Sequence, residues 1–251
     1  MTRWEEIARE LRNSITSGEI APGDVIPREA DLQERYGASR ITVRRAVDEL
    51  QREGLVDKIR KRGTVVRAHP PRHPLTRSRR VFRDELGYYF DPLAQGWRAL
   101  RTPTVTAAPA PADVARILGV DPGGEVTVRS RVMGDPATGQ AAQLATSYLA
   151  PDAVAELPVL AAPDTGPGGI YDRMEEAGHG PLEWEEAITA RMPAPAEAEH
   201  LALGPGIPVL RIVRTTRGAD GRVLEVNETV VSAGRFEVGY PIERDAGALP
   251  E

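Results

Sequence analysis

The sequence predicts an α+β protein with two domains, a small helical one at the N-terminus and a larger one built on a mostly antiparallel sheet. In the first 67 residues, three segments carry apolar side chains at helical spacing, and two short apolar runs joined by a basic turn follow them. Beyond residue 102, several segments alternate apolar and polar side chains as strands do, with turn residues between them. Strands and short helices in this order favour an α+β fold. We divide the chain into residues 1–68, a linker at 69–80, and residues 81–251.

The first two helices are predicted from the residues at their ends. Thr2 and Glu5 have the spacing of a capping box, and the amphipathic segment that they open stops at Gly18. Pro27 precedes a shorter helix over residues 28–36. Gly37 ends this helix, because glycine accepts a left-handed backbone without strain.

The third helix combines an apolar stripe with a cluster of cations. Its apolar side chains recur at i, i+3, i+4 and i+7, namely Val43, Ala46, Val47 and Leu50. Ser39 can cap its start, and Gly54 ends it. Two short strands follow at residues 55–59 and 64–66, with a basic turn between them. Three helices and a hairpin with a basic tip form a winged helix-turn-helix, whose third helix enters the major groove of DNA.

Polar side chains beside the apolar stripe are predicted to contact DNA. Arg44 and Arg45 are the candidates for reading guanine, because a guanidinium can bond O6 and N7 together. Ser39, Thr42 and Arg28, the last at the start of the second helix, are assigned to phosphate oxygens. Four cations of the hairpin would lie against the minor groove or the backbone, with Gly63 allowing close approach. They are Lys58, Arg60, Lys61 and Arg62.

An ordinary solvated surface is the alternative explanation for these charges. It would account for the charges of the helix, or for those of the hairpin, if either were considered alone. Residues 1–73 carry 15 Lys and Arg against 12 Asp and Glu, whereas the remaining residues carry 17 against 25. This mild asymmetry favours nucleic acid binding by the first segment only. Because the helices, the turn and the hairpin all agree, DNA binding is the prediction.

The larger domain is predicted to contain two hairpins and three short helices. Helices are expected at residues 110–118, 170–177 and 195–203. One hairpin joins strands at 125–133 and 141–148, another joins 208–216 and 223–231, and a further strand covers 182–192. Prolines and basic residues over 68–80 are typical of an extended connector.

Composition excludes several kinds of chemistry. The chain contains no cysteine, which removes disulfides, thiolate catalysis and cysteine-based zinc sites. Its 4 histidines are scattered, and no nucleophile motif or phosphate loop is present, so we expect no cofactor, no metal and no enzymatic activity. No apolar run approaches the roughly 20 residues of a membrane span. The charged N-terminus is unlike a secretory signal, and we expect a cytoplasmic protein.

The run IAPGDVIPREADLQERYGASRITVRRAVDELQREGLVDKIRKRGTVV, residues 20–66, resembles the DNA-binding domain of the GntR family of bacterial repressors. Three positions depart from the usual family pattern: Arg28, Ala38 and Val65 stand where Ser, Val and Phe are common. None of these removes a contact on which the motif depends. The resemblance implies that seven residues lie at the DNA: Arg28, Ser39, Arg40, Thr42, Arg44, Arg45 and Gly63.

The order of elements over residues 102–241 resembles the UTRA effector domain of the HutC branch of that family, which has the chorismate lyase fold. The segments PxxVARILGV, SYLAP and VLRIVRTTRGADGRVLEVNETVVS carry this resemblance, together with the strand that contains Arg129 and Arg131. It implies that these two arginines face the effector and bind its anionic group, a contact that suits a guanidinium. A surface pair that balances an acidic domain is the alternative.

Two departures bear on the effector. Gly169 stands where Ser commonly opens a helix, and Ala145 stands where Glu is common, so a phosphosugar does not follow from the resemblance. Gly169 could still offer a backbone amide to an anion. Five further residues are weaker candidates for the rim of the effector pocket: Tyr88, Tyr89, Gln143, Glu225 and Asn227.

These features together predict a ligand-responsive transcriptional repressor. A homodimer would bind a double-stranded, inverted-repeat operator, and a small-molecule effector would shift the spacing of its two halves. An enzyme that uses the lyase-like domain is the rival hypothesis, and a constitutive DNA-binding protein with a purely dimerising second domain is a third. The identity of the effector, and whether it releases or promotes DNA binding, does not follow from the sequence.

Overall fold

Three helices closed by a two-stranded hairpin form the N-terminal domain in a computed structural model, which describes residues 2–68, 72–77, 80–84, 87–90 and 92–242. The helices are α1 (Arg3–Thr16), α2 (Glu29–Tyr36) and α3 (Arg40–Arg52). The strands β1 (Val56–Ile59) and β2 (Gly63–Val66) pair antiparallel. Every element predicted for this domain is present, with ends that differ by one or two residues.

The capping residues act as the sequence predicts. Thr2 and Glu5 form a capping box at the start of α1. Gly37 ends α2 with a φ of 56°, and the side chain of Ser39 accepts a hydrogen bond from the Thr42 backbone N–H at 3.3 Å. The core draws on all three helices and the hairpin through Ile7, Leu11, Leu32, Val43, Val47, Leu50 and Val56. The burial of each such aliphatic side chain contributes about 1.5–3 kcal/mol to folding.

The larger domain contains eleven strands and four helices among the described residues. Its strands are β3 (His73–Thr76), β4 (Phe82–Asp84), β5 (Gly87–Tyr89), β6 (Arg98–Ala99), β7 (Thr104–Pro109), β8 (Glu125–Asp135), β9 (Gln140–Leu149), β10 (Glu183–Arg191), β11 (Val209–Arg217), β12 (Val223–Ser232) and β13 (Phe236–Gly239). Its helices are α4 (Ala112–Leu118), α5 (Pro151–Glu156), α6 (Gly169–Met174) and α7 (Pro195–His200).

Seven of these strands form one antiparallel sheet in the order β10-β11-β12-β9-β8, with β6 and β7 both pairing with β8. On one face, α4 buries Val114 against Val126 and Val226. On the other face, α6 and the aromatic residues of the β4–β5 region pack near Leu149. The predicted α+β class and the mostly antiparallel sheet are confirmed.

Residues 73–76 correct the expected linker. They form β3, which pairs in parallel with β13, and Leu75 is buried with Phe236 and Val231. The prediction of an extended, unpacked connector is therefore wrong for this segment, because one leucine finds an apolar site on the larger domain. Pro74 is tolerated, since the two-stranded pairing leaves strand edges that need no N–H donor. Residues 69–71 and 78–79 of the expected linker lie outside the described part of the chain.

The three helices predicted for the larger domain are all shorter than expected: the one over 110–118 begins at Ala112, and the one over 195–203 ends at His200. The helix expected over 170–177 ends at Met174, and a wider turn from Glu175 to His179 follows, with Gly178 at a φ of 90°. Sequence reasoning also missed α5 and the short strands β3 to β7 and β13. These elements have two to six residues, too few for a periodic pattern to be recognised.

Candidate functional site

The outer face of α3 carries exposed arginines near its N-terminus. The side chains of Arg40 and Arg44 are 70% and 56% exposed. Glu29, at the start of α2, accepts a hydrogen bond from Arg40 Nε at 3.4 Å and lies 3.8 Å from Arg44 Nε. Ion pairs as exposed as these are weak, so both guanidiniums remain available to another partner.

Arg45 takes a different direction from Arg44. Its guanidinium carbon lies 4.5 Å from the centroid of the Trp4 ring on α1, a cation–π contact. Arg44 lies beside α2 and Arg45 beside α1, and both stay exposed. The two candidate guanine readers therefore lean away from each other on the exposed face of α3, in contacts that do not bury them.

The hairpin is attached to the rest of the domain by two of its cations. Lys58 forms an ion pair with Asp48 of α3, and Arg62 Nη2 donates to the Gly23 carbonyl at 3.0 Å. Arg60 and Lys61 lie at the exposed tip. These contacts fix how the hairpin stands beside α3.

The remaining candidates for DNA contact lie at turns of the domain. Gly63 has a φ of 108°, and a β-carbon there would lie 3.1 Å from Val25 Cγ1. Arg28 is exposed at the start of α2, where its backbone N–H donates to Asp31 at 3.1 Å. The hydroxyls of Ser39 and Thr42 lie 2.9 Å apart. The structure thus brings the sequence-predicted DNA residues together on the surface formed by α2, α3 and the hairpin.

A cavity of about 370 Å³ lies on the face of the large sheet that α6 partly covers. Its size is within the usual range for small-molecule sites. Its polar and aromatic lining includes Arg77, Tyr88, Phe90, Arg131, Gln143, Gly169, Tyr171, Arg214, Glu225 and Asn227. Six of the predicted effector residues, all except Arg129 and Tyr89, therefore line one cavity.

Strand register sets a row of polar residues across this face. Arg129 of β8 pairs with Ser147 of β9, and Ser147 pairs on its other side with Asn227 of β12. Asn227 pairs in turn with Arg214 of β11, whose other partner is Glu186 of β10. Paired residues of antiparallel strands point to the same side of the sheet. One face thus gathers hydrogen-bonding groups from five strands.

Two predicted effector residues at the cavity each have a buried polar atom without a hydrogen-bond partner among the described residues, namely Arg131 Nε and Glu225 Oε1. Arg131 Nη2 donates to Ser147 Oγ at 2.7 Å. Asn227 Nδ2 donates to the same hydroxyl at 3.0 Å, which fixes Ser147 between the two donors.

Arg129 lies away from the cavity, contrary to the position expected for it. It is 4% exposed, it does not line the cavity, and its guanidinium donates to the carbonyls of Leu160, Ala162 and Pro163. Burial lowers its pKa, with the nearby Arg131 charge adding to that shift. The structure gives no support to effector binding by Arg129, because it lies outside the cavity lining and its two Nη atoms hold residues 160–163 against the sheet. Its buried Nε has no hydrogen-bond partner among the described residues.

A buried carboxylate network forms the floor of the cavity. Glu225 is fully buried, and its Oε2 accepts hydrogen bonds from the hydroxyls of Tyr171 at 2.7 Å and Thr216 at 2.9 Å. Burial raises the pKa of Tyr171, and the Glu225 charge raises it further. Tyr171 is therefore held as a neutral donor to Glu225.

Aromatic residues form one wall of the cavity. The Tyr88 hydroxyl donates to Glu175 at 2.6 Å, and burial, together with this bond, raises the pKa of Tyr88 to about 12. Phe90 lies under the guanidinium of Arg214, 3.2 Å from ring centroid to carbon. The backbone of Tyr89 belongs to β5, while its side chain lies outside the described part of the structure.

Sequence reasoning missed Arg214, Tyr171 and Arg77 in this cavity. Arg214 donates twice to Glu186, with distances of 2.9 and 2.6 Å, and Glu186 also lies 3.4 Å from Arg77. Arg214 is one of three arginines on β11, and the strand pattern does not distinguish it as the buried one. Tyr171 and Arg77 gave no signal either, because only the fold brings them to the sheet.

The two domains contact each other beside the hairpin. Arg67 holds Asp57 through two hydrogen bonds of 3.0 and 2.6 Å, and its Nη2 also donates to the Pro205 carbonyl of the larger domain at 2.8 Å. Gly206 approaches the end of α3 so closely that a β-carbon on it would lie 2.6 Å from the Arg52 carbonyl oxygen and the Gly54 nitrogen. Glycine is required at this approach.

Comparison with known proteins identifies the family. A family model described as "Bacterial regulatory proteins, gntR family" matches residues 3–66, and the UTRA domain model matches residues 101–237. The chain belongs to the GntR family. Its two parts are the GntR helix-turn-helix domain and a UTRA domain, and it is a transcriptional regulator of that type rather than an enzyme.

Relatives and solved structures agree with this assignment. An HTH-type transcriptional regulator of Streptomyces coelicolor is 34% identical, over 99% of this chain and 96% of its own length. The repressor NagR of Bacillus subtilis is 25% identical, over 96% and 95%. A crystal structure of a GntR-family transcriptional regulator superposes with a TM-score of 0.69 at 28% identity, covering 98% of this chain and 99% of that one. PhnF of Mycobacterium smegmatis, at 22% identity and a TM-score of 0.52, shares the fold.

Two kinds of feature are absent from the described residues. No helix there is long and apolar enough to cross a membrane. No group of three or more His, Asp or Glu side chains there could hold a metal ion.

Proposed function

We propose that this GntR-family regulator is a repressor that binds an inverted-repeat operator as a homodimer and is released by a small anionic effector. The observation that carries the proposal is the set of exposed cations on α3 and the hairpin, next to the start of α2. Arg44 would read a guanine edge, and Arg45 would reach a second base or a phosphate from its position on Trp4. Arg28, Arg40, Ser39, Thr42 and the cations of the hairpin would bind phosphates. NagR, 95% of whose length aligns with this chain, is itself a repressor.

We infer a homodimer from the short stretch of DNA that one winged helix-turn-helix domain can contact. One recognition helix contacts only a few base pairs, so GntR-like helix-turn-helix domains gain specificity by binding two half-sites. One edge of β10 supports self-association, because no strand of the described chain pairs with it. Ile188 of β10 and Met192, which follows this strand, are 41% and 58% exposed. An edge strand presents unpaired backbone N–H and C=O groups with which another chain can pair. Light scattering of the purified protein should give twice the mass of 27.2 kDa.

The anionic character of the effector rests on the cavity beside Arg131. The Nε of Arg131 lacks an acceptor in the described residues, and a carboxylate or phosphate on the ligand would supply one. Gln143, Asn227 and the Gly169 backbone would then position the rest of the ligand, while Glu225 and Tyr171 hold the floor.

Coupling between the two sites would use the contact around Arg67. The hydrogen bond to the Pro205 carbonyl and the close approach of Gly206 join the end of α3 to the UTRA domain. An effector that changes the position of this turn would change the placement of the recognition helix. The connector between the domains would act as the hinge.

Two measurements test the proposed function. In vitro selection with the full-length protein and randomised DNA should recover an inverted repeat whose half-sites are about one helical turn apart; recovery of no enriched sequence would contradict the DNA-binding part. A thermal shift screen with anionic metabolites should find ligands that raise Tm for the wild type and not for Arg131→Ala. Arg116→Ala, an exposed arginine of α4 on the opposite face of the sheet, is the matched control and should keep the response.

A further inference from the structure

Ile41 is an apolar side chain on the exposed face of α3. It is 81% exposed in the first turn of α3. The apolar stripe of the same helix, Val43, Ala46, Val47 and Leu50, is buried on the opposite side. A β-branched residue also has a lower helix propensity than the straight-chain alternatives. Neither folding nor helix formation explains an isoleucine at this position.

The neighbours of Ile41 place it at the centre of the DNA-facing surface. It follows Arg40 in the chain and lies one turn before Arg44 and Arg45, so that it shares their face of the helix. Arg44 leans toward Glu29 of α2, and Arg45 leans toward Trp4 of α1. Ile41 therefore stands between two divergent guanidiniums, with no described element of the chain packed over it.

We propose that Ile41 reads the 5-methyl group of a thymine in each half-site of the operator. This inference rests on the proposed DNA-binding function. The thymine methyl is the apolar group that the major groove presents to a side chain, and it tells thymine apart from cytosine. An isoleucine between two arginines would select a thymine next to a guanine contacted by Arg44. It would then be a specificity-determining residue that adds apolar readout to the hydrogen bonds of the arginines.

The test replaces thymine by deoxyuridine, which removes only the methyl group. Half-sites obtained by in vitro selection are synthesised with deoxyuridine at each thymine in turn, and the Kd of the full-length protein is measured by fluorescence anisotropy. At one thymine per half-site, the wild type should lose about fourfold in affinity, the factor expected for one buried methyl group. Substitution in both half-sites should cost about fifteenfold.

The variant Ile41→Ala makes the test specific to this side chain. It should bind thymine and deoxyuridine sites equally, because the methyl group has lost its partner. Val25→Ala is the matched control: Val25 is 44% exposed on the same domain but lies beside the hairpin at Gly63. This variant should keep the wild-type preference for thymine.

The outcomes separate this inference from the proposed function. If the wild type selects an operator but no deoxyuridine substitution weakens binding, or if Ile41→Ala keeps the methyl preference, Ile41 does not read thymine. If the selected half-sites contain no constant thymine, the inference is equally wrong while the DNA-binding function stands. If the wild type enriches no sequence at all, the proposed function fails, and the role of Ile41 fails with it.

Discussion

Replacement of Arg129 by methionine should destabilise the UTRA domain without touching the cavity. Methionine keeps most of the volume of the side chain and removes the guanidinium. The carbonyls of Leu160, Ala162 and Pro163 then lose their donors. A hydrogen bond contributes about 1 kcal/mol to stability, so three amount to about 3 kcal/mol. Removal of a charge that burial already disfavours offsets part of this loss, which leaves about 2–3 kcal/mol.

This loss is large enough to measure by thermal unfolding. For a domain of this size, 1 kcal/mol corresponds to about 2–4 °C in Tm, so Arg129→Met should lower Tm by about 4–12 °C. Arg131→Met is the matched control, because Arg131 lies on the same strand and its side chain makes one hydrogen bond among the described residues, to Ser147. It should lower Tm by no more than about 4 °C. Equal stability of Arg129→Met and the wild type would refute the supporting role given to Arg129.

Three further predictions concern the domain contact, pH and helix capping. Gly206→Ala should separate the domains, because its β-carbon would lie 2.6 Å from the backbone at the end of α3; small-angle scattering should show a larger radius of gyration, whereas Gly221→Ala, with open space around it, should not. Glu197 has a pKa below its ordinary 4.5, owing first to its hydrogen bond from Arg191. Its stabilisation is therefore fully present above pH 4.5 and is lost as pH falls through the lowered value, so Glu197→Gln should unfold more easily than the wild type at pH 7, by a margin that shrinks as the solution is made acidic. Ser39→Ala should cost about 1 kcal/mol in denaturant unfolding through loss of the α3 cap, and an unchanged midpoint would contradict that cap.

The N-terminal domain could be predicted almost completely because its signals are local. Caps such as Thr2 and Gly37, and apolar residues at helical spacing, determine each helix within a few residues of sequence. The structure adds what no local signal contains, namely that Arg44 and Arg45 diverge toward α2 and α1. That difference depends on where the other helices pack.

The effector cavity could be predicted only in part because it is assembled from distant segments. Arg131 and Glu225 were found through the strands that carry them, and strand register brings them to one face. Arg129 was expected at the cavity and lies outside its lining, because two residues on one strand face can meet different partners. Here residues 160–163 cover Arg129 and leave Arg131 open. Leu75 was missed for a similar reason: its apolar site lies on β13, about 160 residues away in the chain.

The most direct test of the account is whether Arg44 distinguishes operator from random DNA. Anisotropy titrations should be made with a selected operator and a scrambled duplex at several salt concentrations, since both affinities depend on salt. Arg44→Ala should lose about 1–3 kcal/mol of operator preference while its binding to scrambled DNA changes little. Arg52→Ala, an exposed arginine at the far end of the same helix, should keep the preference. Undiminished discrimination by Arg44→Ala would contradict the assignment of α3 as the helix that reads DNA.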